Sequence, residues 1–449
     1  MRRPCKANVF ERNNPERGSV LIIVMWVCFG LVSLVLYFAQ STSSELRAAN
    51  NRVVTTSAEA AVEGGAHYVN YVLSHYATNG SRPLSTEYVA EEIPVGDATL
   101  WLLGRDPNIA PMQDPVFNLV DESAKLNLNT ATRSMLEALP GMTPQLAAAI
   151  IDWRDQDANP TDQGAEDETY ARLDPPRRAK NAPFETVDEL RLVYGATLQI
   201  LFGEDSNRNG ALDPNEDDGD ITAPWDDRNG LLNSGILDYV TVYSRQPTTR
   251  SDGTMRVNVQ LPNQRNRLAQ LLASKLGDSR SQAIMSALGE EPPSSVAEFM
   301  IRGQLTAAEF QQIHTDVTGA NASGLININT APEAVLACIP GLDWEKARAI
   351  TSYRSSQGDN LNSFAWMTEV LDRNTIIQAG RFITDQSYQF SADIVGVGPH
   401  GRGYSRVRFV FDTTQTTPRI VARQDLTGTG WALGTAVRQR LRENFYTSR

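Results

Sequence analysis

Twelve residues near the middle of the chain have the donor chemistry of a cation cage. They read Asp205-Ser206-Asn207-Arg208-Asn209-Gly210-Ala211-Leu212-Asp213-Pro214-Asn215-Glu216, which fits the calcium-loop pattern D-x-[DN]-x-[DN]-G-x5-E at every position. Hard divalent cations take oxygen ligands. The spacing predicts calcium held by the side chains of Asp205, Asn207 and Asn209, the carbonyl of Ala211, Asp213 through a water, and both oxygens of Glu216. Pro214 and the run Asp217-Asp218-Gly219-Asp220 oppose an exiting helix, so a structural loop is expected rather than a regulatory sensor. The competing reading is an ordinary acidic turn, since Asp, Asn and Gly are what turns use. A second, looser group, Asp155, Asp157, Glu166 and Asp167, is either another cation site or a solvated loop.

Other chemistry finds no foothold. The sequence contains no G-x-x-x-x-G-K-[ST], H-E-x-x-H or G-x-S-x-G motif, and its four histidines, His67, His75, His314 and His400, fall in separate segments. The expectation is a protein that is not an enzyme. The three cysteines, Cys5, Cys28 and Cys338, offer no disulfide framework. A formal charge of -12 disfavours nucleic acid, whose phosphates need clustered Lys and Arg.

A register of 200 residues runs through the middle of the chain. Leu126-Asn-Leu-Asn-Thr-Ala, Leu136-Glu-Ala-Leu-Pro-Gly and Ala147-Ala-Ala-Ile recur as Ile326-Asn-Ile-Asn-Thr-Ala, Leu336-Ala-Cys-Ile-Pro-Gly and Ala347-Arg-Ala-Ile, and Arg154 matches Arg354. Val257-Asn258-Val259 is a candidate third, degenerate copy. Asn129-Thr130 and Asn329-Thr330 are candidate helix caps, Pro-Gly closes the first helix, and alanines admit a closely packed second one. The unit reads as a helix-hairpin-helix. Such units bind DNA through a Pro-Gly-x-Gly turn, but Thr143 and Asp343 stand where the second glycine would be.

These units must be carried by a membrane-tethered frame. Val20 to Ala39 holds no charged residue, long enough to cross a hydrocarbon core of about 30 Å once as a helix. Arg2, Arg3, Lys6, Arg12 and Arg17 precede it and keep the N-terminus cytoplasmic. Ser44 to His75, without proline and weakened only at Gly64-Gly65, extends the helix. Ile93 to Leu103 reads as a hairpin about Gly96-Asp97. Tyr388 to Val395 and Ser405 to Phe411 alternate as strands, so two ends of one sheet flank a helical middle.

Glu16-Arg17-Gly18-Ser19 resembles the processing site of type IV prepilins, which are cut after the glycine. The whole resembles the minor pseudopilin K family of type II secretion systems. The resemblance rests on that leader and on Asp121-Glu122-Ser123-Ala124-Lys125-Leu126-Asn127-Leu128-Asn129-Thr130, Asp152-Trp153-Arg154-Asp155, Gly164-Ala165-Glu166, Asn181-Ala182-Pro183-Phe184, Asp188-Glu189-Leu190 and the second Asn-Thr-Ala-Pro block. It implies cleavage between Gly18 and Ser19 by a prepilin peptidase, and Ile23 at the fifth mature position, where most pilins have glutamate. It also implies calcium in the helical domain, without fixing the ligands. The expected fold is α+β: a type IV pilin-like frame of long N-terminal helix and antiparallel sheet, with a large inserted helical domain containing two helix-hairpin-helix-like repeats. The expected divisions are a leader at 1–18, the membrane and extended helix at 19–80, sheet at 81–118, insertion at 119–384 with repeats near 126–154 and 326–354, and sheet and tail at 385–449. The expected role is a minor pseudopilin at the tip of the pseudopilus, initiating its assembly and supporting export of folded proteins. Its expected place is the bacterial inner membrane, single-pass, with its bulk periplasmic. Other minor pseudopilins and the inner-membrane secretion platform are its expected partners. The alternative is a membrane-tethered DNA receptor.

Overall fold

The computed structural model describes residues 16–105, 114–250, 252–319, 323–358, 361 and 363–447, with side chains described between residues 20 and 443. Most of the expected leader lies outside the described residues. The first helix, α1 (Glu16–Ser74), runs unbroken for 59 residues, about 88 Å at 1.5 Å per residue. Its two halves meet different surroundings. From Val20 to Phe38 every large apolar side chain is more than half exposed, Trp26 by 74%; nothing among the described residues packs on this stretch, which suits lipid. Farther along, Val54, Ala58, Ala61, Val62, Ala66, Val69 and Leu73 are buried, a stripe with the three-and-four spacing of an amphipathic helix. The helix passes straight through Gly64-Gly65. A side chain at Gly65 would stand 2.8 Å from Ile394 Cγ2, so the glycine marks a close approach of helix and sheet.

The expected hairpin is β1 (Ile93–Val95) and β2 (Ala98–Leu103), turning at Gly96 with φ +59°. After β3 (Val120–Asp121) the chain enters the helical middle. There β4 (Leu126–Asn127), α2 (Arg133–Glu137), α3 (Pro144–Arg154), α4 (Asp167–Tyr170) and α5 (Leu198–Phe202) lead to β5 (Val240–Thr241), which pairs in parallel with β4. Next, β6 (Val257–Asn258), α6 (Arg265–Leu276), α7 (Asp278–Leu288), α8 (Val296–Arg302) and α9 (Ala307–Ile313) lead to β7 (Val317–Thr318), parallel to β6. Finally β8 (Ile326–Asn327), α10 (Glu333–Leu336), α11 (Trp344–Gln357) and α12 (Arg373–Ala379) lead to β9 (Ile383–Thr384), parallel to β8.

Each opening strand ends the same way. The side-chain oxygens of Asn127, Asn258 and Asn327 accept from the amides of Asn129, Gln260 and Asn329, each at 2.9 Å, which is how Asn folds its own backbone into a turn. Gly141 and Gly341 follow α2 and α10 in the left-handed region, at φ +73° and +90°, where a residue other than glycine is strained. Arg154 donates to the carbonyls of Leu128 and Ala131, and Arg354 to that of Ile328, so the matched arginines tie second helices back to opening strands. The expected caps are displaced. Thr132, not Asn129 or Thr130, caps α2, and Pro332 precedes α10 without a side-chain cap. Asn129 instead exchanges two hydrogen bonds with the backbone of Phe184, and Asn329 accepts from Trp366 Nε1 at 2.8 Å. Their amides are spent on tertiary contacts that capping cannot use.

The chain rejoins the sheet as β10 (Gln389–Val397), β11 (Tyr404–Asp412) and β12 (Arg419–Asp425). The order is β1-β2-β10-β11-β12, antiparallel throughout, with β3 also against β10. The fold therefore combines helices with an antiparallel sheet behind one long N-terminal helix. One face, with Leu100, Leu102, Ile394 and Phe409, packs on α1. The other, with Trp101, Leu103, Val395 and Val397, packs on Ala432, Leu433 and Val437 at the start of α13 (Gly434–Thr447). Asp121 joins sheet to middle: its carboxylate accepts from Ser123 N, Thr330 Oγ1, Asn327 Nδ2 and Ser387 Oγ.

Candidate metal centre

Three carboxylates converge at the end of α3. Asp152 lies within the helix, Asp155 caps its C-terminus one turn later, and Glu166 precedes α4; the group offers oxygens all within 4.8 Å of one another. Asp152 is fully buried and Glu166 is 4% exposed. Both Glu166 oxygens, Asp155 Oδ1, Thr161 Oγ1 and Asn181 Oδ1 are buried without a hydrogen-bond partner. Burial, then the nearby Asp152 and Asp155 carboxylates, push Glu166 up to about 7; burial, Asp157 and Asp152 push Asp155 up as well. Gly164 makes room, since a side chain there would stand 1.9 Å from Asp152 Oδ2 and 2.7 Å from Thr161 Oγ1. Packing like charges together out of water costs several kcal/mol unless a cation offsets them. An all-oxygen set of this kind suits a hard divalent cation.

This grouping differs in part from the four acidic residues read from the sequence. Asp155 and Glu166 converge, and Asp157 contributes to the field at Glu166. Asp167 turns away and accepts from the amide of Ala179 at 2.9 Å. Asp152, Thr161 and Asn181 were missed. Only Asp152 left a trace, its three-residue spacing from Asp155, which puts both on one helix face.

The Asp205–Glu216 loop follows α5, and no helix follows it directly. Its ends close inward: Asp205 accepts from the amides of Asn209 and Gly210, both at 2.9 Å, and Glu216 from those of Ser206 and Asp213 at 2.9 and 3.1 Å. Asn207 Oδ1 accepts from Asn209 N and Asn209 Oδ1 from Ala211 N, while both side-chain amides donate to Asp213 Oδ2. Gly210 turns the loop at φ +73°. Asp205, Asn209, Ala211 and Glu216 are at most 2% exposed. Burial, then Asp205, push Glu216 up to about 7, and burial raises Asp205 against the pull of Arg105. The donor set fits calcium in type, and its buried carboxylates hold charge that the loop's amides only partly offset.

Two guanidinium groups, Arg406 fully buried and Arg105 partly buried, clamp the outer side of this loop. Arg406 of β11 pairs with Asp393 of β10 at 2.8 Å and donates to the carbonyls of Asn207 and Arg208. Arg105 donates to the carbonyls of Arg208 and Asn209, pairs with Asp238 at 3.0 Å and approaches Asp205 to 3.6 Å. The candidate cage is thereby seated on the sheet. Sequence reasoning did not find either arginine, because an Arg within or just after a strand says nothing about which loop crosses it. The histidines are scattered as the sequence suggests; His314 pairs with Asp385 at 3.1 Å, His67 lies on α1, His75 just past its end and His400 in the β10–β11 turn.

Comparison with known proteins gives these segments a family. A model described as "Type II secretion system (T2SS), protein K" matches residues 116–201, and a second with that description matches 326–380. Curated relatives named type II secretion system protein K are 45% identical over 51 residues in Pectobacterium carotovorum subsp. carotovorum and 39% identical over 79 residues in Klebsiella pneumoniae. Those alignments cover 11% and 17% of this chain and span 16% and 24% of the relatives' own lengths. The crystal structure of the GspK-GspI-GspJ complex from the enterotoxigenic Escherichia coli type 2 secretion system contains a similar chain, with TM-score 0.37 and 13% identity over 86% of this chain and 99% of that one. The two model matches fall on the strand-and-helix segments that contain the two Asn-x-Asn-Thr-Ala blocks, the first of them holding the carboxylate cluster, and in these two segments the chain is similar to type II secretion system protein K.

Proposed function

We propose that this chain is a non-catalytic minor pseudopilin that sits at the tip of a type II secretion pseudopilus and starts its assembly, supporting export of folded proteins. The observation that carries the reading is α1, whose first half is an exposed apolar surface fit for a membrane and whose second half is the spine of the sheet. In this reading α1 crosses the inner membrane once, and the rest of the chain is periplasmic. The middle, roughly residues 119–384, is an insertion into the sheet built from helix-hairpin-helix-like units. A filament subunit needs a carboxylate near its N-terminus to offset a neighbour's buried ammonium, because an unpaired charge there costs several kcal/mol. Ile23 offers none, which fits one copy at an end, bound to other minor pseudopilins and, before assembly, to the secretion platform. Thr143 and Asp343 cap α3 and α11, occupying amides that a phosphate would need, so DNA is not the partner proposed.

Calcium is proposed at both acidic sites. Asp205, Asn207, Asn209, the Ala211 carbonyl, Asp213 and Glu216 would hold one ion, and Asp152, Asp155 and Glu166 with Thr161 and Asn181 another. Bound calcium supplies positive charge that lets each set stay ionised and closed.

Two measurements on the native system test the role. Mass spectrometry of the membrane-extracted protein should find Ser19 at the N-terminus after peptidase removal of 1–18. Quantitative blotting of sheared pseudopili should find far fewer copies than of the major subunit; equal abundance along the filament would defeat the tip assignment.

A further inference from the structure

The outer rim of the 205–216 loop is bonded to the segment that joins β12 to α13. Asn207 Nδ2, which donates to Asp213 Oδ2, gives its second hydrogen to the carbonyl of Trp431 at 3.0 Å. A side chain at Gly430 would stand 4.0 Å from Asn207 Cβ, so loop and segment lie against each other. Arg406 completes the junction, and all five of its N–H groups are engaged there. Two go to Asp393, one each to the carbonyls of Asn207 and Arg208 on the loop, and one to Thr429 Oγ1 on the segment at 3.2 Å. Its backbone is tied to the same segment, accepting from Leu426 N at 2.8 Å and donating to Thr427 Oγ1 at 3.0 Å. Arg406 is fully buried, so a loop that swings open strands two of its donors out of reach of water.

What this segment carries is the root of α13. Trp431 Nε1 donates to the carbonyl of Gly434 at 2.7 Å, and its ring lies 5.4 Å from that of Tyr404 on β11. The next two residues, Ala432 and Leu433, are fully buried on the second face of the sheet with Val437. Most side chains from 434 to 443 are exposed. A terminal helix with so few buried anchors belongs to the low-stability end of local opening, and its hold on the sheet depends on the segment before it.

We propose that the 205–216 loop is a calcium-set latch for the C-terminal segment: the ion closes the loop, and the closed loop holds residues 426–437 against the sheet. The inference rests on the reading of this loop as a calcium site. Closure gathers Asp205, Asp213 and Glu216, the first and last at most 2% exposed, and like charges out of water oppose that gathering until a cation offsets them. The closed loop is what aims the carbonyls of Asn207 and Arg208 at Arg406 and the Asn207 amide at Trp431. Ion and segment therefore favour the same state of one element, and their coupling is reciprocal. The rival arrangement is also on hand, because Arg105 stands 3.6 Å from Asp205. If that guanidinium alone sufficed to close the loop, the segment would be indifferent to calcium.

The test is hydrogen exchange of the full-length chain in detergent, with calcium or with a calcium chelator at constant magnesium. Calcium should slow exchange about tenfold in peptides from 426–437, within the usual range for coupled sites, and leave peptides from 265–288 unchanged. In Glu216→Gln the calcium effect on 426–437 should disappear, with peptides from 389–397 reporting that the sheet remains folded. Calcium protection confined to 205–216 overturns the latch and leaves the calcium site standing, and this comparison needs no variant. Protection of 426–437 that survives Glu216→Gln also overturns it, since the effect then comes from another site. No calcium response in 205–216 overturns the calcium reading of the loop, and the latch with it.

Discussion

Glu166 and Glu216 share an electrostatic problem, each buried beside another carboxylate and pushed up to about 7. Calcium that binds only the folded chain stabilises it by about 2.7 kcal/mol at a hundredfold excess over its dissociation constant. The expected outcome is a rise in melting temperature of the full-length protein with calcium, cut by Glu166→Gln and cut independently by Glu216→Gln. Without calcium, Glu166→Gln should melt no lower than wild type, because it removes a like charge. If neither variant changes the calcium response, the assigned ligands are wrong. A second residue-scale prediction concerns Asp393. Burial opposes its charge, but Arg406 and Arg408 outweigh burial and hold its carboxyl well below the usual range. Asp393→Asn leaves the fully buried Arg406 without its counter-ion and should cost on the order of 3–5 kcal/mol. Denaturant titration measures this, and loosening of the 205–216 loop in hydrogen exchange should accompany it. His314 has the opposite pH sense: burial lowers it, yet Asp385 wins and the net shift is upward. A raised folded pKa means stabilisation that is complete below the unfolded value, near 6.5, and is lost as pH rises through the folded one. Stability measured from pH 6 to 9 should fall in wild type and fall less in His314→Gln.

At the scale of elements, α1 shows where propensity and packing disagree. Gly64 and Gly65 are equal in the sequence and unequal in the fold. A side chain at Gly64 would make only an ordinary contact, 3.4 Å from Val95 Cγ1, whereas at Gly65 it would stand 2.8 Å from Ile394 Cγ2 and 3.2 Å from Leu100 Cδ2. Gly64→Ala should therefore be neutral or add up to about 1 kcal/mol from helix propensity. Gly65→Val should remove about 1–3 kcal/mol by overpacking the helix–sheet contact. Thermal melts of the two variants check the contrast, and equal effects would mean that the close approach does not hold. The opening strands of the middle carry the same lesson. Asn127 and Asn327 use their side chains locally, as a sequence pattern suggests, but Asn129 and Asn329 spend theirs on Phe184 and Trp366, 55 and 37 residues away. Spacing alone reads the first kind of bond and not the second.

Across the whole molecule, the parts legible in the sequence are those whose cause is local. The apolar run, the β1–β2 hairpin about Gly96, the alternation in β10 and β11 and the Asp205–Glu216 spacing each follow from periodicity or turn chemistry within a few residues. The tertiary structure decided everything that depends on segments far apart meeting. It set β2 beside β10 across residues 104–388. It gathered Asp152, Thr161 and Asn181 with Asp155 and Glu166, and it ran Arg105 and Arg406 under the calcium-type loop. It also brought α13 down over the sheet to place Arg438 and Arg442 beside Arg402. A carboxylate's spacing on its own helix is fixed by the helix pitch, but whether another charge meets it is fixed by how sheets and helices pack to bury their apolar faces. That packing is a property of the whole chain at once, so the spacing of the oxygen-bearing residues was readable before the fold and its electrostatic surroundings only after it.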